Sequence, residues 1–232
     1  MRFREWDELP EFMKVLEVKP YYDTLRNHKT ELILKRFFDV IVASGLFVIF
    51  AIPMCILAIV IKIDSPGPVF YRQERVTAYG RIFRIHKFRT MVHNAEQIGT
   101  SITVSEDKRV TRVGKKLRNF RLDELPQIFD ILEGTMSFVG TRPEAVKYVK
   151  QYKQEYFATL LLPAGITSEA SIRYKDEYKL LDASNNVDKI YLEQVLPAKM
   201  KWNLESIRRF GFFREILTMI RTVLAVAGKE YQ

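Results

Sequence analysis

Between Val40 and Ile61 the chain runs for 22 residues without a charge, VIVASGLFVIFAIPMCILAIVI. As an α-helix this stretch measures about 33 Å, close to the hydrocarbon thickness of a bilayer. A soluble core helix is seldom so apolar for so long, so membrane insertion is expected over burial in a soluble core. Pro53 interrupts the run, removing one backbone hydrogen bond and crowding the carbonyl four residues back, which predicts a kink. Lys35 and Arg36 precede the run, Lys62 closes it, and Arg72, Arg75, Arg81, Arg84 and Lys87 follow. Cationic flanks on both sides cannot both obey the positive-inside tendency of a crossing helix. A helix that enters, bends at Pro53 and returns to the same face satisfies both. An ordinary kinked span is the alternative.

The 232 residues suit one sizeable domain, or one domain with an attachment. A formal net charge of +9 favours anionic partners: nucleic acid, an acidic lipid surface or phosphorylated substrates. The single cysteine, Cys55, lies in the apolar run. That excludes a disulfide framework and points to a reducing compartment. The first twelve residues, MRFREWDELPEF, carry mixed charges and no apolar core, so they do not read as a cleavable secretory signal.

Four segments are expected. Residues 1–34 form a polar N-terminal extension with a helix near Leu25–Leu34, and 35–63 the membrane-inserted helix. Residues 64–200 form a small catalytic domain, and 201–232 an amphipathic, membrane-associated C-terminal helix. Within the domain, strands are expected at Val69–Arg72 and Arg81–Phe88 around a Tyr79-Gly80 turn, and a polar loop at about 93–108. A helical stretch from about 111 to 133 is broken near Leu122–Pro126. A strand Met136–Val139 precedes a Gly140-Thr141-Arg142-Pro143 turn, and helix resumes at about 144–160. From Leu204 to Ala227, Ile207, Phe210, Phe213, Leu217, Ile220 and Leu224 recur at helical spacing. Arg214 and Arg221, seven apart, fall on the polar side. Such a helix lies in the membrane interface or packs on the core. The fold class is therefore α+β and mostly helical, with short strands beside a re-entrant membrane helix.

Candidate chemistry centres on Arg118-Asn-Phe-Arg-Leu-Asp-Glu-Leu-Pro-Gln127. Proline is tolerated in a first helical turn, so a helix is expected to begin near Asp123. Free amides and the positive end of the helix dipole would keep Asp123 ionised and favour a phosphate beside it. Adjacent helical residues point about 100° apart, which gives Asp123 and Glu124 separate roles. The plainer alternative is a capping Asp123 and a dipole-favouring Glu124. Arg142, bracketed by Gly140 and Pro143, is a candidate fork for phosphate oxygens, or else a solvated surface charge. Arg118 stands close by in sequence, and Lys87 and Arg89 alternate along a strand, facing a nucleotide diphosphate or solvent. One Cys and three scattered His exclude a zinc cluster, so any metal should be hard and oxygen-liganded, with Mg²⁺ the leading candidate.

The order of these motifs resembles the bacterial sugar transferase family, the monotopic phosphoglycosyl transferases. The matching segments are KRFFDVIVASGLFVIF (35–50), SPGPVFYRQERV (65–76), FRIHKFRTM (83–91), DKRVTRVGKKLRNFRLDELPQIFDILEGTMSFVGTRPE (107–144) and AGITS (164–168). The resemblance implies transfer of a sugar-1-phosphate from a UDP-sugar to polyprenyl phosphate, with Asp123 as nucleophile and metal ligand. Glu124 assists, Mg²⁺ is the cofactor, and Arg118 and Arg142 match family arginines. It also implies membrane lipids rather than nucleic acid as partners, leaves a homo-oligomer open, and places the catalytic domain on the cytoplasmic face of the bacterial inner membrane. Three positions depart from the family pattern. Thr141 replaces the first proline of the arginine turn, Ile52 replaces the serine before Pro53, and Pro163-Ala164-Gly165 lacks an arginine.

Overall fold

The structure, a computed structural model, describes residues 3–95, 107–174 and 187–226. Most of the polar loop expected at about 93–108 lies outside these residues. After two single 3-10 turns, Trp6–Glu8 and Glu11–Met13, come helix α1 (Lys19–Asn27) and helix α2 (Lys29–Asp64). The helix expected near Leu25–Leu34 is thus split at His28. Helix α2 has 36 residues, takes in Pro53, and is long and apolar enough to cross a membrane by length and composition.

One face of α2 meets the rest of the protein along its whole apolar length. Ala43, with Leu46, Phe47 and Phe50 beside it, packs on Phe83, Ile85, Ile128, Ile131 and Met136. Met54 and Ile61 continue the same row beyond Pro53, against Phe88 and Leu117. The spacings of three and four residues are those of a single helical stripe. The opposite face is bare, with Val48, Ile49, Ile52, Ile56, Ile59 and Ile63 all exposed.

Three of the cations expected to flank the membrane segment, Lys35, Arg36 and Lys62, turn out to be fastenings within the fold. Arg36 donates to the carbonyls of Ile131 and Leu132 at 2.6 and 3.0 Å. These are among the last carbonyls of a helix, which lack intrahelical partners. Lys62 donates to Gly67 O at 2.8 Å, and Lys35 is buried in a polar cluster with Asp39, Ser137 and Glu215. Positive-inside reasoning treats such charges as solvated. These are spent on carbonyls and carboxylates.

Strands β1 (Phe70–Val76) and β2 (Ile82–Phe88) form an antiparallel hairpin across the expected Tyr79-Gly80 turn. β1 runs four residues past the expected Arg72, its exposed side chains alternating with half-buried ones as on a half-covered sheet. Helices α3 (Arg112–Asn119) and α4 (Gln127–Glu133) follow. Strand β3 (Met136–Val139) pairs in parallel with β4 (Ala164–Thr167), a short strand with no alternating pattern to announce it. The helix expected at about 144–160 is instead α5 (Val146–Val149) and a 3-10 segment, Gln154–Leu161. Ala158 to Leu161 are all buried, and consecutive burial does not fit an amphipathic helix.

Helix α6 (Glu169–Arg173) is capped by Ser168, and α7 (Val187–Ile190) passes through a π-helical turn into α8 (Leu196–Arg208). Helix α9 (Phe212–Val226) ends the described chain. The expected Leu204–Ala227 helix is therefore two helices. Phe210 breaks it by turning into the core, and the Phe212 amide is taken up by Glu31 Oε2 at 2.7 Å. That core joins the N-terminal lead to α8: Met13, Val18, Tyr22 and Leu25, fully buried, pack with Leu161, Leu204, Ile207 and Phe210.

Candidate active site

Asp123 and Glu124 stand on a strained corner. Arg121 adopts a left-handed backbone, φ 54°, between α3 and a 3-10 turn, Leu122–Glu124, which leads through Pro126 into α4. A non-glycine residue in this region costs of order 1 kcal/mol or more and is held only where the surroundings over-determine it. The α-helix itself starts at Gln127, later than expected. A 3-10 turn separates neighbours by about 120°, so the two carboxylates still point apart.

Their environments differ accordingly. Glu124 Oε1 accepts from Lys87 Nζ at 2.8 Å and from Arg142 Nη2 at 2.6 Å. Burial alone would raise its carboxyl, but the Arg142 and Lys87 charges outweigh burial and hold it well below the usual carboxylate range. Asp123 makes no ion pair among the described residues. Its carboxyl is raised, first by burial and then by the neighbouring Glu124 charge, with Lys87 and Arg118 opposing. One carboxylate is thus locked as a charged anchor and the other is left available.

Arg142 is placed by backbone contact. Gly140 N donates to Thr167 O and Gly165 N to Thr141 O, at 3.0 and 2.9 Å. A Cβ on Gly165 would lie 2.2 Å from Gly140 N, so only glycine lets β4 approach this closely. Ala164-Gly165 therefore sets the arginine turn by fit rather than by charge.

Of the residues expected at the site, Lys87, Asp123, Glu124 and Arg142 come together, and Arg118 lies within electrostatic reach of Asp123. Arg118 also donates from Nε to Thr90 Oγ1 at 2.8 Å. Arg89 does not join them. It is 5% exposed and donates to Ser65 O and Pro66 O at 2.6 and 2.8 Å, closing the C-terminal end of α2. Gly67, at φ 125°, gives it room, since a Cβ there would meet Arg89 Nη1 at 2.0 Å. Arg89→Ala should lower stability by roughly 3 kcal/mol through the stranded carbonyls and leave donor KM nearly unchanged. Thermal unfolding and a donor titration check both.

Sequence reasoning missed Tyr71, Gln73 and Arg75. The register of β1 puts these alternate residues on the face shared with Lys87, Tyr71 being directly opposite it. Arg75 donates to Gln73 Oε1 at 2.5 Å, and its guanidinium is shifted down by burial and by Arg142, with Glu144 opposing. Tyr71 lies within electrostatic reach of Arg75 and Arg118. The period-two pattern in Phe70-Tyr-Arg-Gln-Glu-Arg75 was the available signal.

The donor set suits a hard cation. The Asp123 carboxylate and the Glu124 oxygen not used by Lys87 and Arg142 are oxygen ligands, and Mg²⁺ commonly takes one or two carboxylates beside phosphate oxygens and water. His86, Asp130 and Glu133 also bring ligand atoms within 4.8 Å of one another. Both Asp130 oxygens, however, already accept from His86, one from the backbone at 2.9 Å and one from the ring at 2.8 Å.

A model of the bacterial sugar transferase family matches residues 30–229. The UDP-N-acetylgalactosamine-undecaprenyl-phosphate N-acetylgalactosaminephosphotransferase of Aeromonas hydrophila is 42% identical over 196 residues, covering 83% of this chain and 43% of that protein. The UDP-glucose:undecaprenyl-phosphate glucose-1-phosphate transferase of Escherichia coli K12 is 34% identical over 218 residues, 92% of this chain and 44% of that one. A protein of the same name from Caulobacter vibrioides is 33% identical over 194 residues, 82% of this chain and 68% of that one. The chain spans less than half the length of the first two relatives. The family match covers most of the sequence and contains every residue of the Asp123 site, and on that ground the chain belongs to the bacterial sugar transferase family.

Proposed function

We propose that this chain moves a sugar-1-phosphate from a UDP-sugar to undecaprenyl phosphate in two displacements at Asp123. The observation that carries the reading is the asymmetry of the carboxylates: Glu124 clamped by Lys87 and Arg142, and Asp123 beside them with no ion pair among the described residues. In the first step an Asp123 oxygen attacks the sugar-bearing phosphorus. The bond from that phosphorus to the oxygen bridging the two phosphates breaks, and UMP leaves with the electron pair. In the second, a phosphate oxygen of the lipid attacks the same phosphorus and displaces Asp123 as carboxylate. The product is a lipid diphospho-sugar.

Glu124 is too firmly ionised to donate a proton near neutral pH. Its part is to orient Lys87 and Arg142, whose remaining N–H groups stand at the phosphates. Mg²⁺ held by Asp123 and the free Glu124 oxygen would neutralise charge on the diphosphate. Splitting the transfer lets a water-soluble donor and a lipid acceptor use one nucleophile in turn.

The membrane seating follows from α2. Its protein-covered stripe runs from Lys35 to Ile61, about 39 Å at helical rise, longer than a bilayer core of about 30 Å. A crossing α2 would draw the polar domain into the lipid. We place α2 with its bare face in one leaflet, bent at Pro53, and the lead and catalytic domain on the same cytoplasmic side. A single cysteine introduced in the lead of a Cys55→Ser protein should resist periplasmic labelling until the membrane is opened. Labelling of intact cells would make α2 a span.

Identifying the released nucleotide tests the chemistry. UMP is expected. UDP would mean transfer of the sugar alone. No release would leave a basic membrane adaptor, for which an Arg142 fixed at 2.6 Å from Glu124 has no evident use.

A further inference from the structure

Beneath α9 lies a cavity of about 400 Å³, walled by α6, α8 and the Gly140-Thr141 end of β3. We propose that it binds the phosphate group of a membrane lipid, with Arg214 as the principal contact. The proposal rests on the membrane seating given above but not on the chemistry at Asp123.

The charges of the cavity do not cancel locally. Arg221 pairs with Glu169 at 3.1 Å, Arg209 pairs with Glu205, and Glu215 pairs with Lys35 at 3.0 Å. These pairs use all three carboxylates of the lining. Arg214 is left exposed with no carboxylate partner among the described residues, and Arg173 is held only against the Trp202 ring, 3.9 Å from its centroid. A guanidinium in this situation favours a phosphate, whose oxygens match its fork.

The surroundings indicate that the phosphate belongs to a lipid. The outer face of α9 is apolar and bare: Phe213 is 81% exposed, and Leu217, Ile220 and Val223 follow it. This face joins the bare face of α2 where Phe212 meets Phe38, ring centroids 5.8 Å apart. Arg214 and Arg221 project within about 20° of each other, at the edge of that apolar face rather than opposite it. An arginine at such an edge sits at headgroup level when the helix lies in the interface. The inner side of α9 is attached through polar contacts, Thr218 and Arg221 to Glu169 and Thr222 to Thr167. A chamber therefore opens directly beneath a membrane-facing helix. Its inner wall, Gly140-Thr141, carries the chain into Arg142.

The test is a binding titration without donor. The protein has two tryptophans, so Trp6→Phe leaves Trp202 as the only reporter. In phosphatidylcholine vesicles, added polyprenyl phosphate or phosphatidylglycerol should change Trp202 fluorescence saturably. Arg214→Ala should weaken the apparent affinity about 10-fold and Arg214→Glu further, in keeping with loss of a charge-assisted contact. Charge reversal at exposed Lys150, away from the cavity, should leave it unchanged. A response to polyprenyl phosphate alone would identify the acceptor as the source, and an equal response to phosphatidylglycerol would identify bulk anionic lipid. Equal weakening by Lys150→Glu, no effect of Arg214→Glu, or full competition by inorganic phosphate would overturn the proposal.

Discussion

Asp123→Asn is expected to lower turnover by roughly a thousand-fold or more, the scale on which removal of a covalent nucleophile acts, while the protein folds and inserts normally. An amide oxygen is a poor nucleophile toward phosphorus, so the first displacement stops and nothing remains for the lipid phosphate to attack. The fold should survive because Asp123 makes no ion pair among the described residues and sits on a partly exposed turn. Intact-mass measurement after incubation with donor alone separates the steps. The wild type should gain the mass of a sugar phosphate, and the variant should gain none. Turnover by the variant within ten-fold of wild type would move the nucleophile elsewhere. Glu124 is a less clean probe, because its removal strands Lys87 and Arg142 and changes the shape of the site as well as its charge.

The parts of this site legible in the sequence were those whose local chemistry is also their tertiary role. Asp123, Glu124 and an Arg142 bracketed by Gly140 and Pro143 announce a corner and a fork, and the structure brings all three together. Arg89 and Lys35 show where such reading stops. In sequence each is a cation beside a motif, but long-range packing turns Arg89 onto the end of α2 and buries Lys35 between two carboxylates. Nothing within ten residues of Arg89 names Ser65 or Pro66, and of the partners of Lys35 only Asp39 lies that near. Strand β4 was illegible for a related reason: Ala164-Gly165 is chosen for close backbone approach to Gly140, which leaves no hydrophobic alternation. The hairpin and the apolar run were readable because periodicity and length are properties of the local chain alone.

Lys35→Met should be the most destabilising single change away from the catalytic corner. Lys35 Nζ donates to Ser137 Oγ at 2.6 Å and lies 3.0 Å from Glu215 and 3.8 Å from Asp39. The side chains of Lys35, Asp39 and Glu215 are 8%, 4% and 16% exposed. Methionine fills the volume of the stem but leaves two carboxylates buried without their cation. Breaking a buried pair from one side costs about 3–5 kcal/mol, or on the order of 10 °C in Tm for a chain of this size. The loss should fall on the junction of α2, β3 and α9, since those are the elements the cluster joins. It should also depend on pH. Burial already raises the Glu215 carboxyl, with Lys35 opposing and Asp39 adding to the rise. Without Lys35 only the raising influences remain, so Glu215 binds its proton more tightly in the folded state than in the unfolded one. Such a group favours the fold at low pH and loses that contribution as pH rises through its folded value. The deficit should therefore be larger at pH 8 than at pH 5, and Lys35→Met with Glu215→Gln should recover part of it. Thermal unfolding of the reconstituted single and double variants at both pH values measures this directly. A deficit that is the same at both, with no recovery in the double variant, would show that Lys35 contributes packing rather than charge.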